Sequence, residues 1–334
     1  MSHSDDLLWE AVSGLSRFSA LLTMAELGVA DHLAHGPSTT EELAGRCGAH
    51  APSLRRVLRE LTSMGLVRPA GADRHDLTER GAVLRSDAPD SIRSSIRMLG
   101  EEGFWYAMGN LPATVRTGRS AFAAQFGNLY EHLAARPETS RLFNDYMRAR
   151  AVTFTEGLAK RYDFSQAGTM VDVAGGKGHI LATVLHANPG MRGVLFDLEH
   201  VAEGARESLA AEGLAGRCEV VAGDFFAGVP AGADVYLLAS VLHNWGDDDA
   251  VRILRNVRRA MAPAGRVLVL EVVLPDDGEP HLGKDLDMRM LAIFDGAVER
   301  SRQEYAALFD RSELKLTNVI ELGAGASLIE AVPS

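Results

Sequence analysis

Apolar residues in the first part of the chain recur with a helical period. Leu8, Val12, Leu15, Phe18 and Leu22 fall three or four apart, close to a heptad seam, which predicts an amphipathic helix. Its seam packs either on its own domain or against a partner chain. Thr39-Thr-Glu-Glu42 has the form of a capping box, in which hydroxyl and carboxylate each satisfy the other residue's backbone donor. Leu54, Val57, Leu58 and Leu61 mark another helix, closed by Gly65 where a left-handed residue is wanted. Leu66-Val67 and His75-Asp-Leu77 read as two short strands about a Gly71-Ala-Asp73 turn. Two helices followed by a β-wing make a winged-helix pattern.

Past Gly168 the texture changes. Strand-like runs at Met170–Val173, Val194–Phe196, Val220-Val221, Val235–Leu238 and Val267–Leu270 are separated by helical patterns. Such βαβ alternation implies a mostly parallel sheet covered on both faces, with ligands held beyond the carboxyl ends of the strands. The residues that follow each strand are therefore the informative ones.

Composition narrows the classes. The 334 residues are 46% hydrophobic and 24% charged, ordinary for a globular protein. Cys47 and Cys218 are too few for a disulfide framework, which points to a reduced, cytoplasmic protein. The net charge of −11 is uneven: 17 basic stand against 18 acidic residues in 1–150, and 17 against 27 in the remainder. An acidic chain argues against nucleic acid as the main partner, and no apolar stretch approaches the roughly 18 residues of a membrane span.

The first strand end reads Asp172-Val-Ala-Gly-Gly-Lys-Gly178. A dinucleotide fingerprint fails, because Leu181 occupies the third glycine position; a phosphate loop fails, because Val171 and Gly178 hold its other required places. What remains is an acid on the strand followed by a turn containing Gly175, Gly176 and Gly178, suited to a ligand with an amine and a ribose; the alternative is a tight turn alone. The second strand ends in Asp197, able to accept from both ribose hydroxyls. The third gives Asp224, an acceptor for an adenine amine, and Phe225, a stacking face, or else a turn aspartate beside core phenylalanines. In succession these residues describe adenosine without phosphate, hence S-adenosylmethionine. The fourth edge is Leu242-His-Asn-Trp245, followed by aspartates 247–249, which read as caps of a helix Ala250–Met261. No His or Cys lies at ligand spacing nearby, so no metal is expected. Glu271, interrupting an apolar strand, and Glu299 are two carboxylates able to hold His243 as a general base of fixed tautomer. Met147, Met288, Met290 and Phe294 offer an adaptable apolar wall for a planar acceptor, or plain core packing.

Over essentially its whole length the chain resembles the S-adenosylmethionine-dependent O-methyltransferases of the plant caffeate and hydroxyindole type, including bacterial relatives that tailor aromatic natural products. The resemblance rests on Asp172–Gly178, Asp197, Asp224-Phe225, His243-Asn-Trp245, Glu271 and Glu299, and on Phe104-Trp-Tyr, Arg116-Thr-Gly118 and Phe143–Met147. It implies an α/β fold: a Rossmann-like class I methyltransferase domain, doubly wound and mostly parallel, preceded by an α-helical winged-helix dimerisation domain. The implied division is 1–100 for dimerisation, 101–160 for a helical connector contributing to the acceptor pocket, and 161–334 for catalysis. It further implies a homodimer through the N-terminal domain, a small aromatic acceptor, S-adenosylhomocysteine as product, and neither a metal nor a membrane partner. Three departures stand out. Ala174 replaces a glycine of the turn, Asn244 replaces an Asp and removes a charge near the acceptor, and Ala239 stands where relatives carry Lys or Ser beside the cofactor's methionine end. Two other functions stay open: a relative reassigned to hydroxylation or decarboxylation, and a ligand-sensing winged-helix regulator reading DNA through Ser53–Met64.

Overall fold

The computed structural model describes residues 3–323 and 325–334. It contains two compact units, Met1–Trp105 with Leu133–Ala149, and Tyr106–His132 with Arg150–Ser334.

In the first unit the leading seam becomes α1 (His3–Glu26). Ser38–Thr39 forms β1, and Thr39 then caps α2 (Thr40–Cys47) through the expected reciprocal box with Glu42. Helix α3 (Ala51–Ser63) buries Leu54, Leu58 and Leu61. Gly65 turns the chain with φ of 72° into β2 (Val67–Pro69), which pairs antiparallel with β3 (Arg74–Leu77). The wing thus gains a third strand, order β1-β3-β2, because Ser38–Thr39 adds to its free edge. The core gathers Met24, Val29, Leu33, Leu43, Leu58 and Leu61. Leu8, Trp9, Val12 and Leu15 of α1 remain 59–68% exposed.

The second unit carries the large sheet. Its strands are β4 (Thr169–Val173), β5 (Arg192–Asp197), β6 (Cys218–Ala222), β7 (Val235–Ala239), β8 (Arg266–Leu274), the short β9 (Arg300–Ser301), β10 (Leu314–Gly323) and β11 (Ala326–Pro333). The order is β10-β11-β8-β7-β4-β5-β6, with β9 beside β8. Strands β4 to β8 pair parallel, whereas β11 runs antiparallel against both β8 and β10. Buried parallel strands read as largely apolar runs, and β4, β5, β7 and β8 do; Val171, Val173, Leu195, Leu237, Leu238, Val267 and Val269 are at or below 1% exposure. Helices α4 (His179–Ala187), α5 (Glu199–Ala211), α6 (Asp247–Ala260), α7 (Leu282–Ile293) and α8 (Arg302–Asp310) follow the strands. Among the described residues no helix is long and apolar enough to cross a membrane.

Strand order reverses at β4, which is flanked by β5 on one side and β7 on the other. A doubly wound sheet opens its crevice at that switch point. Register aligns the ends: Val173 pairs with Phe196 and with Leu238, and Asp197 with Ala222. The four edges singled out in the sequence therefore stand side by side.

Candidate active site

The turn after β4 is shaped by what the carboxylate beside it needs. Asp172 is 1% exposed, and among the described residues neither of its oxygens has a hydrogen-bond partner. Burial, aided by the nearby charge of Asp197, pushes its carboxyl up to about 7. A Cβ on Gly175 would stand 2.6 Å from the Asp172 carboxylate, so only glycine lets the backbone pass. Ala174 and Gly176 take φ of 56° and 61°, and Gly178, at 79°, caps α4 while packing on Leu195 and Leu209. The alanine occupies the left-handed region that its glycine counterpart would enter freely, at a cost of about 1–2 kcal/mol.

Asp197, half-buried at the end of β5, accepts from the Gly176 amide at 2.9 Å and from the Leu198 amide at 2.7 Å. Burial nevertheless holds its carboxyl above the usual range. Beyond β6, Asp224 is exposed and accepts from the Phe226 amide, while Phe225 meets Trp245 edge-on with ring centroids 6.0 Å apart. The buried Asn256 of α6 donates to the carbonyls of Phe225 (2.7 Å) and Phe226 (3.0 Å), fixing this turn from beneath. Nothing in the sequence marked it.

After β7, Ala239 is half-buried and Ser240 turns through φ of 54° into a single 3-10 turn, Leu242–Asn244. His243 on that turn is 5% exposed, and its Nδ1 lies 2.8 Å from Oε1 of Glu299. An ionised carboxylate can only accept, so Nδ1 carries the proton and Nε2 keeps its lone pair. Glu271 behaves differently from its neighbour. Its Oε1 accepts from the backbone amides of Val241 (2.8 Å) and His243 (3.2 Å), and its Oε2 accepts from the Tyr305 hydroxyl at 2.5 Å. Of the two carboxylates read from the sequence, one holds the imidazole and the other holds the backbone beneath it. Tyr305 is fully buried and was invisible in the sequence; a buried phenol needs a partner, and here it has Glu271. Asp287 of α7 accepts from the Glu299 amide at 2.9 Å and was likewise unmarked.

Electrostatics follow from this packing. Burial disfavours charge on His243, but the Glu299 hydrogen bond and the charges of Glu271 and Glu299 outweigh it, and the imidazole sits above the ordinary histidine value. Burial also raises the Glu271 carboxyl and pushes Tyr305 well above a normal phenol.

The acceptor-wall residues are placed less uniformly. Met290 is buried on α7, and Phe294, which ends that helix, has its ring 6.3 Å from that of Tyr130. Met288 is 40% exposed. The Asn244 amide turns back to donate to the Ser240 carbonyl at 3.1 Å. Met147 lies half-buried on the long helix Pro137–Arg161, within the first unit. The aspartates at 247–249 fall in the first turn of their helix, at its positive dipole end, but do not cap it: it starts at Asp247 with Gly246 in the capping position, and Asp247 and Asp248 pair with Arg300 and Arg311. Among the described residues no group of three His, Cys, Asp or Glu is arranged to hold a metal.

Comparison with known proteins agrees with this layout. The O-methyltransferase domain profile matches residues 108–313, and the O-methyltransferase dimerisation domain profile matches residues 9–87. The chain is 40% identical to phenazine O-methyltransferase PhzM of Lysobacter antibioticus, over 98% of this chain and 96% of that one. It is similar to the crystal structure of the O-methyltransferase NcsB1 from neocarzinostatin biosynthesis, solved with S-adenosylmethionine and 2-hydroxy-5-methyl naphthoic acid. That match has a TM-score of 0.85 at 35% identity, covering 97% of this chain and 98% of that one. A further relative, 36% identical over 94% of this chain and 85% of its own, is aclacinomycin 10-hydroxylase RdmB of Streptomyces purpurascens.

Proposed function

The chain belongs to the S-adenosylmethionine-dependent O-methyltransferase family, and on that premise we propose that it methylates a phenol, enol or hydroxyquinone oxygen of an aromatic specialised metabolite, with His243 as general base. The observation that carries this reading is the buried Nδ1–Glu299 contact of 2.8 Å, which leaves Nε2 of His243 free to accept a proton.

The residues present fit the cofactor. Asp172 offers a cationic, amine-bearing ligand two buried oxygens that have no partner among the described residues, and the Gly175 turn is a cradle that any Cβ would fill. Asp197 would accept from the ribose hydroxyls, Asp224 from the adenine amine, and Phe225 would face the ring; Ala239 would line the methionine end without a polar contact. When bound, S-adenosylmethionine supplies an electrophilic methyl group on a sulfonium. The chain's own task is to hold the acceptor oxygen in line and take its proton. Positioning alone contributes up to about 7–11 kcal/mol in such bimolecular steps. A phenol near pKa 10 facing an ordinary histidine near 6.5 leaves a gap worth about 5 kcal/mol for full prior ionisation. The raised imidazole narrows that gap, so proton transfer accompanies attack.

An aromatic acceptor is supported by the relatives named for phenazine and crystallised with a naphthoic acid. Met290, Phe294 and Asn244 are the wall residues we assign to it. A homodimer through the N-terminal domain is supported by the dimerisation profile and by the exposed apolar stripe of α1. Hydroxylation is the second reading, since one relative carries that name. The retained His243–Glu299 pair favours methyl transfer, which needs a base. The test is turnover with S-adenosylmethionine and a panel of phenols: formation of S-adenosylhomocysteine equal to methyl ether supports the proposal, and cofactor consumed without ether, or an oxidised product, contradicts it.

A further inference from the structure

The 3-10 turn that carries His243 is short, and three residues cannot hold their own geometry. Every polar contact that fixes it therefore matters. From one side Glu271 takes the amides of Val241 and His243. The His243 carbonyl receives the Val298 amide at 2.9 Å. The flanking carbonyls of Leu242 and Trp245 both accept from Arg300, the former also taking the Trp245 amide at 3.1 Å that closes the turn. The arginine Nη1 donates to Leu242 at 3.1 Å and its Nη2 to Trp245 at 2.7 Å, while Nε and Nη2 reach one oxygen of Asp247 at 3.1 and 2.9 Å. The arginine side chain is 1% exposed and its carboxylate partner 61% exposed. A buried guanidinium whose partner stands in solvent is an expensive way to make an ion pair. The planar fork is nevertheless the one side chain that can bridge two carbonyls and a carboxylate at once.

We infer that Arg300 is a positioning residue for the reaction: it clamps the carbonyls on either side of His243, opposite the Glu271 clamp on the amides, and so holds the imidazole at the Glu299 carboxylate. This rests on the general-base reading above. Arg300 and Glu299 are consecutive, so the segment that supplies the imidazole's partner also grips the turn on which the imidazole rides. Movement of one is movement of both. The adjoining segment is pinned in turn, because β9 pairs Arg300 with Val273 of β8, two residues from Glu271.

The clamp needs the fork and not the charge, and that makes it testable. Arg300→Lys keeps a buried cation that can reach Asp247 but cannot span two carbonyls. Asp247→Ala removes the exposed anchor and leaves the core packing untouched. Two readouts are taken on the full-length protein: single-turnover methyl transfer at saturating S-adenosylmethionine, and the titration of the His243 imidazole by NMR without acceptor. The groups facing that imidazole are Glu271, Glu299 and Arg150, and neither variant alters them. Arg300→Lys is expected to slow transfer by about 10–100-fold, the scale of a 1 Å misplacement, with cofactor affinity within twofold. The His243 pKa should fall toward the ordinary histidine value as the Glu299 contact loosens, and Asp247→Ala should shift both readouts the same way by less. If Arg300→Lys does not fold, the Asp247→Ala titration decides alone. A shifted titration with an unchanged transfer rate keeps the clamp and removes the general-base reading. An unshifted titration in a folded variant, whatever its rate, overturns the clamp.

Discussion

Three residues of the site are perturbed by their surroundings, and each gives a measurable consequence. Asp172 is buried with unpartnered oxygens and a carboxyl near 7. Its folded-state pKa lies above the unfolded value near 3.9, so ionisation disfavours the folded form. The penalty is absent below about pH 4 and complete above about pH 7, where it reaches a few kcal/mol. Asp172→Asn cannot ionise, so its melting temperature relative to wild type, both without cofactor, should rise steadily from pH 5 to pH 8; a difference independent of pH would contradict the assignment. Glu299 holds the imidazole pKa up, and a base acts only when neutral. The acid limb of kcat in wild type should therefore lie above about 6.5, and Glu299→Gln should move it to lower pH while reducing kcat. Ala174 is strained at φ 56°, and Ala174→Gly should stabilise the fold by about 1 kcal/mol in chemical denaturation. His243, Glu271 and Glu299 were legible in the sequence because a charge inside an apolar run, or beside a strand end, demands a reason. Tyr305, Asp287, Asn256 and Arg300 were not. Each partners a group distant in sequence, and on its own helix or strand each looks like ordinary amphipathic texture.

At the level of elements, the parallel strands were readable because their sequences are largely apolar, and β4, β7 and β8 are buried along most of their length. Strands β10 and β11 escaped the same reading. β10, Leu314–Gly323, lies at the sheet edge and is exposed or half-buried except at Leu314 and Leu322, with Lys, Thr, Asn and Glu among its ten residues. Its partner closes an antiparallel hairpin that βαβ alternation does not foretell. The winged region was readable from its punctuation, since Glu42 and Gly65 each take the role their chemistry implies. Helix α1 carries the element-scale prediction. Leu8, Trp9, Val12 and Leu15 leave an apolar stripe on water, which the proposed homodimer would cover. Val12→Glu with Leu15→Glu buries unpaired carboxylates in that contact, and the dimer should dissociate at micromolar concentration in light scattering. A dimer of unchanged mass would place the interface elsewhere.

For the molecule as a whole, the proposed reaction rests on the glycine turn beside Asp197 and the buried imidazole taken together. The proposed assignment gives binding and proton transfer to different strand ends, so the two should separate on mutation. Asp197→Ala should weaken S-adenosylmethionine by about 1.5–3 kcal/mol in calorimetry, the range for hydrogen bonds to a charged group, without moving the acid limb of kcat. His243→Ala should do the reverse, costing about 10²–10⁴-fold in turnover with cofactor affinity nearly unchanged. The most direct test is single-turnover methylation by wild type and His243→Ala across acceptors of graded acidity. If His243 takes the proton, the rate ratio is large for phenols near pKa 10 and shrinks toward one for acceptors already ionised at the assay pH. A ratio that stays large and flat over several pKa units would mean that His243 shapes the pocket without acting as its base.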